Sequence, residues 1–168
     1  MSDIKVIYGS STGSTESAAR QIAEGLGASC VNVAQASADD FQSAVLILGS
    51  STWGCGDLQD DWETNKPLLE QADLKGRIVA LFGQGDQYGF GDTYLDGMGQ
   101  LYKIAAGRGA RFIGKTSATG YAHSGSQAQE GDQFCGLALD DTNESELTKA
   151  RIEAWIVQLK DELQAGIE

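Results

Sequence analysis

The sequence is poor in proline, histidine and cysteine, and it lacks any long hydrophobic run. Its longest apolar runs, at residues 44–48 and 78–82, are far shorter than the roughly 18 residues needed to cross a bilayer. The first residues contain no basic segment followed by an apolar one, so we expect no signal peptide. Three cysteines without a C-x-x-C pair predict a cytoplasmic protein in a reducing environment. A single histidine and scattered cysteines offer no metal-ligand spacing.

The length and composition predict one domain over residues 1–168. A chain of 168 residues with 41% hydrophobic residues can bury a core without disulfides or a structural metal. Its 24 acidic and 12 basic residues give a formal net charge of -12. This excess argues against binding to nucleic acid or to an anionic membrane, and it favours a basic protein partner. No Lys or Arg occurs in residues 21–65, 78–102 and 116–148.

Continuously apolar segments alternate with segments of helical spacing, which predicts an α/β fold. Strands that are apolar throughout indicate a parallel sheet covered by helices on both faces. A polar stretch at residues 116–133 interrupts the pattern and predicts an insertion into the last strand. The predicted strands are residues 4–8, 30–33, 45–48, 78–82 and a last one that starts at 112 and resumes at 134–139.

Apolar spacing also predicts three helices. The first covers residues 14–26 and ends at Gly27, and the second covers residues 94–106. Ile152, Trp155 and Leu159 lie on one face of the last helix, for which Asn143 is the predicted N-cap. Because ligands bind beyond the carboxyl ends of parallel strands, we expect the site to form from residues 9–15, 50–57 and 84–92.

The first of these loops predicts a phosphate-binding site. Hydroxyl groups and free backbone N–H groups at a helix N-terminus suit an anion. The loop lacks the lysine of a Walker motif, and no G-x-G-x-x-G occurs in the chain. Residues 9–13 also match the G-x-S-x-G pattern of hydrolases, but we interpret His123, the sole histidine, as a solvated loop residue and do not favour a hydrolase. The predicted phosphate contacts are Ser10, Ser11, Thr12, Gly13, Ser14 and Thr15.

Each of the other two loops contains at least one aromatic residue, although the turn itself does not need one. Trp53 lies in a glycine-rich turn, and Tyr88 and Phe90 lie in the next loop. Aromatic side chains beside a phosphate site suit a flat ring system with a phosphate tail. The three loops together favour flavin mononucleotide (FMN) or a similar ligand.

With these residues, the chain resembles the long-chain flavodoxins over essentially its whole length. The matching segments are residues 10–15, 52–63, 85–87, 120–121, 134–140 and the helix that contains Trp155. The resemblance implies a flavodoxin-like three-layer sandwich with five parallel strands in the order 2-1-3-4-5. It also implies noncovalent FMN and one-electron transfer between larger redox proteins, which makes the protein an electron carrier and not an enzyme.

Two positions depart from the family pattern. Ser14 stands where many relatives have lysine, so the phosphate depends on N–H groups, hydroxyls and the helix dipole alone. Phe90 aligns with the usual tyrosine on the outer flavin face, and Tyr88 is the alternative for that place. The resemblance also implies that the Gly54–Cys55 peptide flips to accept a hydrogen bond from the flavin. The remaining predicted cofactor contacts are Thr52, Trp53, Gly54, Cys55, Gly56, Gln84, Gly85, Asp86 and Phe90.

The charge pattern predicts a low-potential carrier that docks on basic partners. Carboxylates around a cation-free site disfavour negative charge on the reduced ring. We expect a monomer whose acidic rim meets a reductase and an acceptor. The alternative is a flavin-dependent quinone or NADPH reductase on the same fold, which would need a second nucleotide site that the sequence does not show. The rim residues are Asp57, Asp60, Asp61, Glu63, Asp86, Asp92, Asp140, Asp141, Glu144 and Glu146.

Overall fold

The structure, a computed structural model, describes residues 3–11, 13–53 and 56–166. It contains ten strands and four α-helices within these residues. Two short 3-10 helices, Val33–Gln35 and Ala38–Gln42, connect the second strand to the third. In chain order the elements are β1 Ile4–Gly9, α1 Ser14–Leu26, β2 Ser29–Asn32, β3 Val45–Trp53, β4 Asp57–Leu58, α2 Asp60–Glu70, β5 Ile78–Gln84, α3 Asp96–Gly107, β6 Arg111–Phe112, β7 Thr116–Ser117, β8 Gln129–Glu130, β9 Gln133–Phe134, β10 Leu137–Leu139 and α4 Asp141–Gly166.

A mainly parallel sheet forms the centre of the molecule. Its main strands lie in the order β2-β1-β3-β5-β10, and all four neighbouring pairs are parallel. When these five main strands are numbered in chain order, their order in the sheet is 2-1-3-4-5. The predicted α/β fold is therefore confirmed. Short β4 is antiparallel to the end of β3, and pairs Asp57 with Trp53.

The fifth strand consists of two separate halves. Short β6 pairs with β5 at Ile78 and Val79, and β10 pairs with the same strand from Phe82 to Gln84. Between the two halves, β7, β9 and β8 form a small antiparallel sheet. The predicted insertion into the last strand is therefore confirmed.

Helices cover both faces of the sheet because successive strand residues point to opposite sides. Helices α1 and α4 pack on the face that contains Val6, Ile47 and Ala80. Helices α2 and α3 pack on the face that contains Ile7 and Leu48. Within the described part of the chain, no helix combines the length and apolar character that crossing a bilayer requires.

Helix α1 has the predicted bounds, and Gly27 ends it in a left-handed conformation with φ 66°. The second predicted helix begins two residues later than expected, at Asp96, because Leu95 has φ 61° and cannot continue a helix backwards. The predicted N-cap of the last helix was wrong. Asp140 takes that role, since its Oδ1 accepts from the Asn143 N–H at 3.0 Å, and the helix is kinked at Glu144.

Candidate functional site

The three predicted loops meet at one cavity of about 280 Å³ beyond the carboxyl ends of β1, β3 and β5. Parallel strands end at the same edge of a sheet, so loops distant in the chain become neighbours there. The start of α4 also contributes two residues that the sequence did not assign to the cavity. The lining residues are Ser14, Thr15, Ser51, Thr52, Trp53, Gln84, Gly85, Asp86, Phe90, Asp141 and Thr142.

The first loop presents the N-terminus of α1 to the cavity. Gly13 has φ 95° at the N-cap position, which only glycine adopts readily, and it has no side chain that could compete for the first-turn amides. The Ser10 Oγ accepts from the Gly13 N–H at 3.1 Å and the Ser11 Oγ accepts from the Gln59 side chain at 3.1 Å. Ser10, Ser11 and Gly13 are not among the residues that line the cavity, whereas Ser14 and Thr15 are. The first-turn amides of α1 remain suited to an anion. Thr12 lies outside the described residues.

The second loop holds Trp53 at the cavity with its ring partly exposed. The Trp53 Nε1 donates to the Ser51 Oγ at 2.8 Å, and the side chain remains 40% exposed. Thr52 Oγ1 accepts from the Gly97 N–H at 2.9 Å, which ties the end of β3 to α3. Because the indole N–H is held by a hydrogen bond and part of the ring is exposed, Trp53 is available for stacking on a ligand. The predicted contacts Gly54 and Cys55 lie outside the described residues, and buried Gly56 does not line the cavity.

The third loop places Phe90, and not Tyr88, in the cavity lining. Phe90 is 47% exposed, whereas Tyr88 is 65% exposed. The loop is folded by Asp86, whose Oδ1 accepts from the Gly89 N–H at 2.7 Å and from the Asn143 side chain at 2.8 Å. These hydrogen bonds lower the pKa of the Asp86 carboxyl. Of the two aromatic residues predicted for this loop, Phe90 is therefore the one that lines the cavity together with Trp53.

A buried polar network supports this loop from behind, and the sequence did not predict it. The Asp140 carboxylate is 0% exposed and accepts from the Gln87 N–H at 3.1 Å and the Gln87 side chain at 2.9 Å. Glu144 accepts from the same Gln87 amide at 2.8 Å and from Arg151 at 2.9 Å. The Arg151 guanidinium lies 4.7 Å from the centre of the Tyr121 ring. In the sequence, only the resemblance of residues 85–87 to the flavodoxins singled out Gln87.

The insertion also holds the third loop. The Gly91 carbonyl accepts from the Ser124 and Gly125 N–H groups at 2.8 and 3.0 Å. His123, between Ala122 and Ser124, lies in a loop as predicted, but it is half-buried and not solvated. Its ring packs on Tyr94, Tyr121 and Phe134 with centroid distances of 5.3, 6.4 and 5.1 Å. The cluster joins Tyr121 and His123 of the insertion to Tyr94, which precedes α3, and to Phe134 of β9.

Two residues predicted for the acidic rim do not belong to it. Asp140 is fully buried, and Glu144 is paired with Arg151 inside the network. Glu63 is exposed, but Lys66 forms an ion pair with it at 2.8 Å. Asp57, Asp60 and Asp92 are exposed. The rim is therefore smaller than the sequence predicted, because its members near α4 stabilise the loop instead.

The site fits a phosphorylated ring compound on the residues that the structure describes. Ser14 and Thr15, at the start of α1, line the cavity together with the aromatic residues Trp53 and Phe90. In addition, the side-chain Nε2 of Gln84 is buried and has no hydrogen-bond partner. A buried donor without a partner is rare in folded proteins, and an acceptor from a ligand or an ordered water would satisfy it.

The fold and the cavity define an α/β protein of the open parallel-sheet class with its ligand site at the carboxyl edge. The Flavodoxin family model matches residues 6–155, and the chain belongs to the flavodoxin family. The chain is 39% identical to a flavodoxin from Synechocystis sp., over 98% of this chain and 100% of that protein. It is 41% identical to a flavodoxin from Nostoc sp. over 95% of this chain and 96% of the relative.

A solved structure is similar over the same length. The flavodoxin of Fusobacterium nucleatum, solved bound to flavin mononucleotide, superimposes with a TM-score of 0.90 at 32% sequence identity. The match covers 96% of this chain and 99% of that one. The family resemblance inferred from the sequence is therefore confirmed.

Proposed function

We propose that the protein binds FMN noncovalently in the cavity and carries single electrons between redox proteins. The observation that supports this most directly is the cavity itself. It joins the open N-terminus of α1 to two partly exposed aromatic residues, Trp53 and Phe90. The Synechocystis and Nostoc relatives are flavodoxins, and the Fusobacterium structure contains FMN.

Each end of the cavity has a separate task in this proposal. The amides at the start of α1, with Ser14 and Thr15, bind the phosphate. Trp53 and Phe90 stack on the ring and exclude water from its faces, while the open edge between them faces partner proteins. FMN, when bound, supplies the redox chemistry, and the protein positions it and sets its electrostatic surroundings.

The charges near the cavity favour a low reduction potential of the bound FMN. Asp57 of β4 lies opposite Trp53 of β3 in the antiparallel strand pair. Asp86 lines the cavity, and because its pKa is lowered, its carboxyl group stays ionised. The segments that form the second and third loops contain no Lys or Arg. When reduction adds negative charge to the bound ring, no cation of these two loops compensates it, and reduction is therefore disfavoured.

Stepwise reduction of the FMN-loaded protein, followed by its absorbance spectrum, tests this function. A one-electron carrier is expected to be reduced in two separate one-electron steps, and to pass electrons from a flavoprotein reductase to a basic cytochrome. NADPH oxidation by the protein alone would instead favour the reductase alternative. Failure of the apoprotein to bind FMN would refute the proposal.

We further propose a cytoplasmic monomer. The thiol of Cys135 is free and buried, and burial raises its pKa to about 12, so the thiol stays protonated. Cys30 is also a free thiol. Free cysteines are typical of a reducing compartment. Light scattering of the loaded protein tests the monomeric state.

Electron transfer to a basic partner should slow steeply as salt is added, if the acidic rim attracts that partner. The Debye length falls from about 30 Å at 0.01 M to about 10 Å at 0.1 M ionic strength, which weakens attraction between exposed charges. We expect a decrease in the second-order rate constant of about tenfold or more over this range. Stopped-flow kinetics with a basic cytochrome measures it.

The Asp57→Asn variant should reduce this salt dependence, since Asp57 lies beside exposed Trp53. Glu63→Gln should have a smaller effect, because Lys66 already pairs with Glu63. Asp132→Asn makes the same change in net charge at an exposed position of the insertion and serves as the control. Equal salt profiles in all four proteins would assign the rim charges to solubility alone.

A further inference from the structure

We propose that the side-chain amide of Gln84 donates a hydrogen bond to an uncharged oxygen of bound FMN, in the ring or in the ribityl chain. The inference rests on the function proposed above and assigns a specific role to one residue of the cavity. It makes Gln84 a residue that binds and orients the cofactor, in addition to the phosphate and stacking contacts.

The position of Gln84 limits what its side chain can do. Gln84 is the last residue of β5, lies opposite Ser51 of β3 and is only 5% exposed, yet it lines the cavity. Its Oε1 accepts from the backbone N–H of Asp141 at 3.1 Å. Because that N–H can only donate, the amide oxygen and not the nitrogen must face Asp141. The Nε2 group therefore has a fixed place on the other side of the amide.

The Nε2 group has no hydrogen-bond partner, whereas two hydroxyl groups of the cavity lining already accept hydrogen bonds from other residues. Ser51 Oγ accepts from Trp53, and Thr52 Oγ1 accepts from Gly97. Among the described residues of the cavity lining, Gln84 Nε2 is the one buried side-chain nitrogen without an acceptor. Leaving such a donor unpaired is costly, so an acceptor on the ligand would remove that cost on binding.

The strand order separates Gln84 from the phosphate. The phosphate loop follows β1, whereas Gln84 ends β5, and β3 lies between these two strands. Gln84 is instead next to Gly85 in the loop that contains Phe90. The acceptor is therefore an uncharged oxygen of the ring or of the ribityl chain, and riboflavin contains both.

Two variants separate the donor from the rest of the side chain. Gln84→Glu keeps an oxygen for the Asp141 N–H but loses the donor, and Gln84→Met loses the amide without adding charge. We expect both to raise the Kd for FMN and for riboflavin by about 10- to 100-fold. Gln158→Glu makes the same change in an amide whose Nε2 donates to the Lys115 carbonyl, and should leave both Kd values unchanged.

A pH series with riboflavin distinguishes a donor from a packing effect. Riboflavin has no phosphate, so its binding does not depend on phosphate ionisation. Burial raises the pKa of a carboxyl group, and the protonated acid regains an O–H donor. The affinity of the Gln84→Glu variant, relative to the parent protein at the same pH, should recover as the pH falls. The affinity of the Gln84→Met variant should not recover.

Lumiflavin, which lacks the ribityl chain, assigns the acceptor. A loss of lumiflavin affinity in both variants places it on the ring, and an unchanged affinity places it on the ribityl chain. A loss for FMN but not for riboflavin would overturn the inference, since it would place the donor at the phosphate. Unchanged Kd values in both variants would also overturn it. In either case, normal FMN binding by the parent protein would leave the proposed function intact.

Discussion

Riboflavin is expected to bind about 100- to 1000-fold more weakly than FMN. The phosphate would accept several charge-assisted hydrogen bonds from the open N-terminus of α1 and from hydroxyls such as that of Ser14. Each is worth about 1.5–3 kcal/mol before the hydration of the phosphate is subtracted, so a net loss of about 3–4 kcal/mol follows. Quenching of flavin fluorescence during titration of the apoprotein measures both affinities.

The Ser14→Lys variant provides a matched control for this difference. A cation at the cavity should strengthen binding of FMN, which is charged, and leave riboflavin nearly unchanged. The ratio of the two affinities should therefore increase in the variant. Equal affinities for FMN and riboflavin in the parent protein would show that residues 10–15 do not bind the phosphate.

Asp140→Ala should lower the free energy of unfolding by about 3 kcal/mol or more. The substitution removes the acceptor of the backbone N–H and of the side-chain amide of Gln87, both of which are buried. It also removes the acceptor of the Asn143 N–H at the start of α4. Each unpaired buried donor costs about 1–3 kcal/mol. The affinity for FMN should also fall, because Gln87 is part of the loop that contains Asp86 and Phe90. Urea unfolding of the apoprotein and flavin titration measure the two effects.

Asp161→Ala removes an exposed carboxylate from α4, the helix that Asp140 caps, and should change the stability by less than about 0.5 kcal/mol. Asp140→Asn retains one oxygen and should have an intermediate cost. If Asp140→Ala unfolds at the same urea concentration as the Asp161→Ala control, the network does not stabilise the loop.

Local patterns were sufficient to predict the sheet, α1 and the convergence of the three loops. Continuous apolar runs identify strands buried on both faces, and Gly27 marks the end of α1 because its positive φ requires glycine. Trp53 and an aromatic residue of the third loop could be assigned to the cavity because the carboxyl ends of parallel strands meet at one edge. The choice of Phe90 over Tyr88 depended on the resemblance to the family.

The features that were missed depend on contacts between distant segments. Asp140 is separated from Gln87 by 53 residues, and only the folded chain shows that the carboxylate is buried and caps α4. The ring of His123 lies in an aromatic cluster because the insertion returns to the loop at Gly91. The left-handed conformation of Leu95 likewise has no signal in its own sequence, since leucine rarely adopts it.

The split fifth strand gives the sheet edge two halves, of which only the second leads to the cavity. The half formed by β6 pairs with the start of β5. The half formed by β10 leads directly into Asp140, whose carboxylate holds the loop that lines the cavity. Opening of β10 would therefore release that loop, and a ligand in the cavity opposes this opening by mass action. Amide hydrogen exchange at the second half of the strand is therefore expected to slow more on cofactor binding than exchange at the first half.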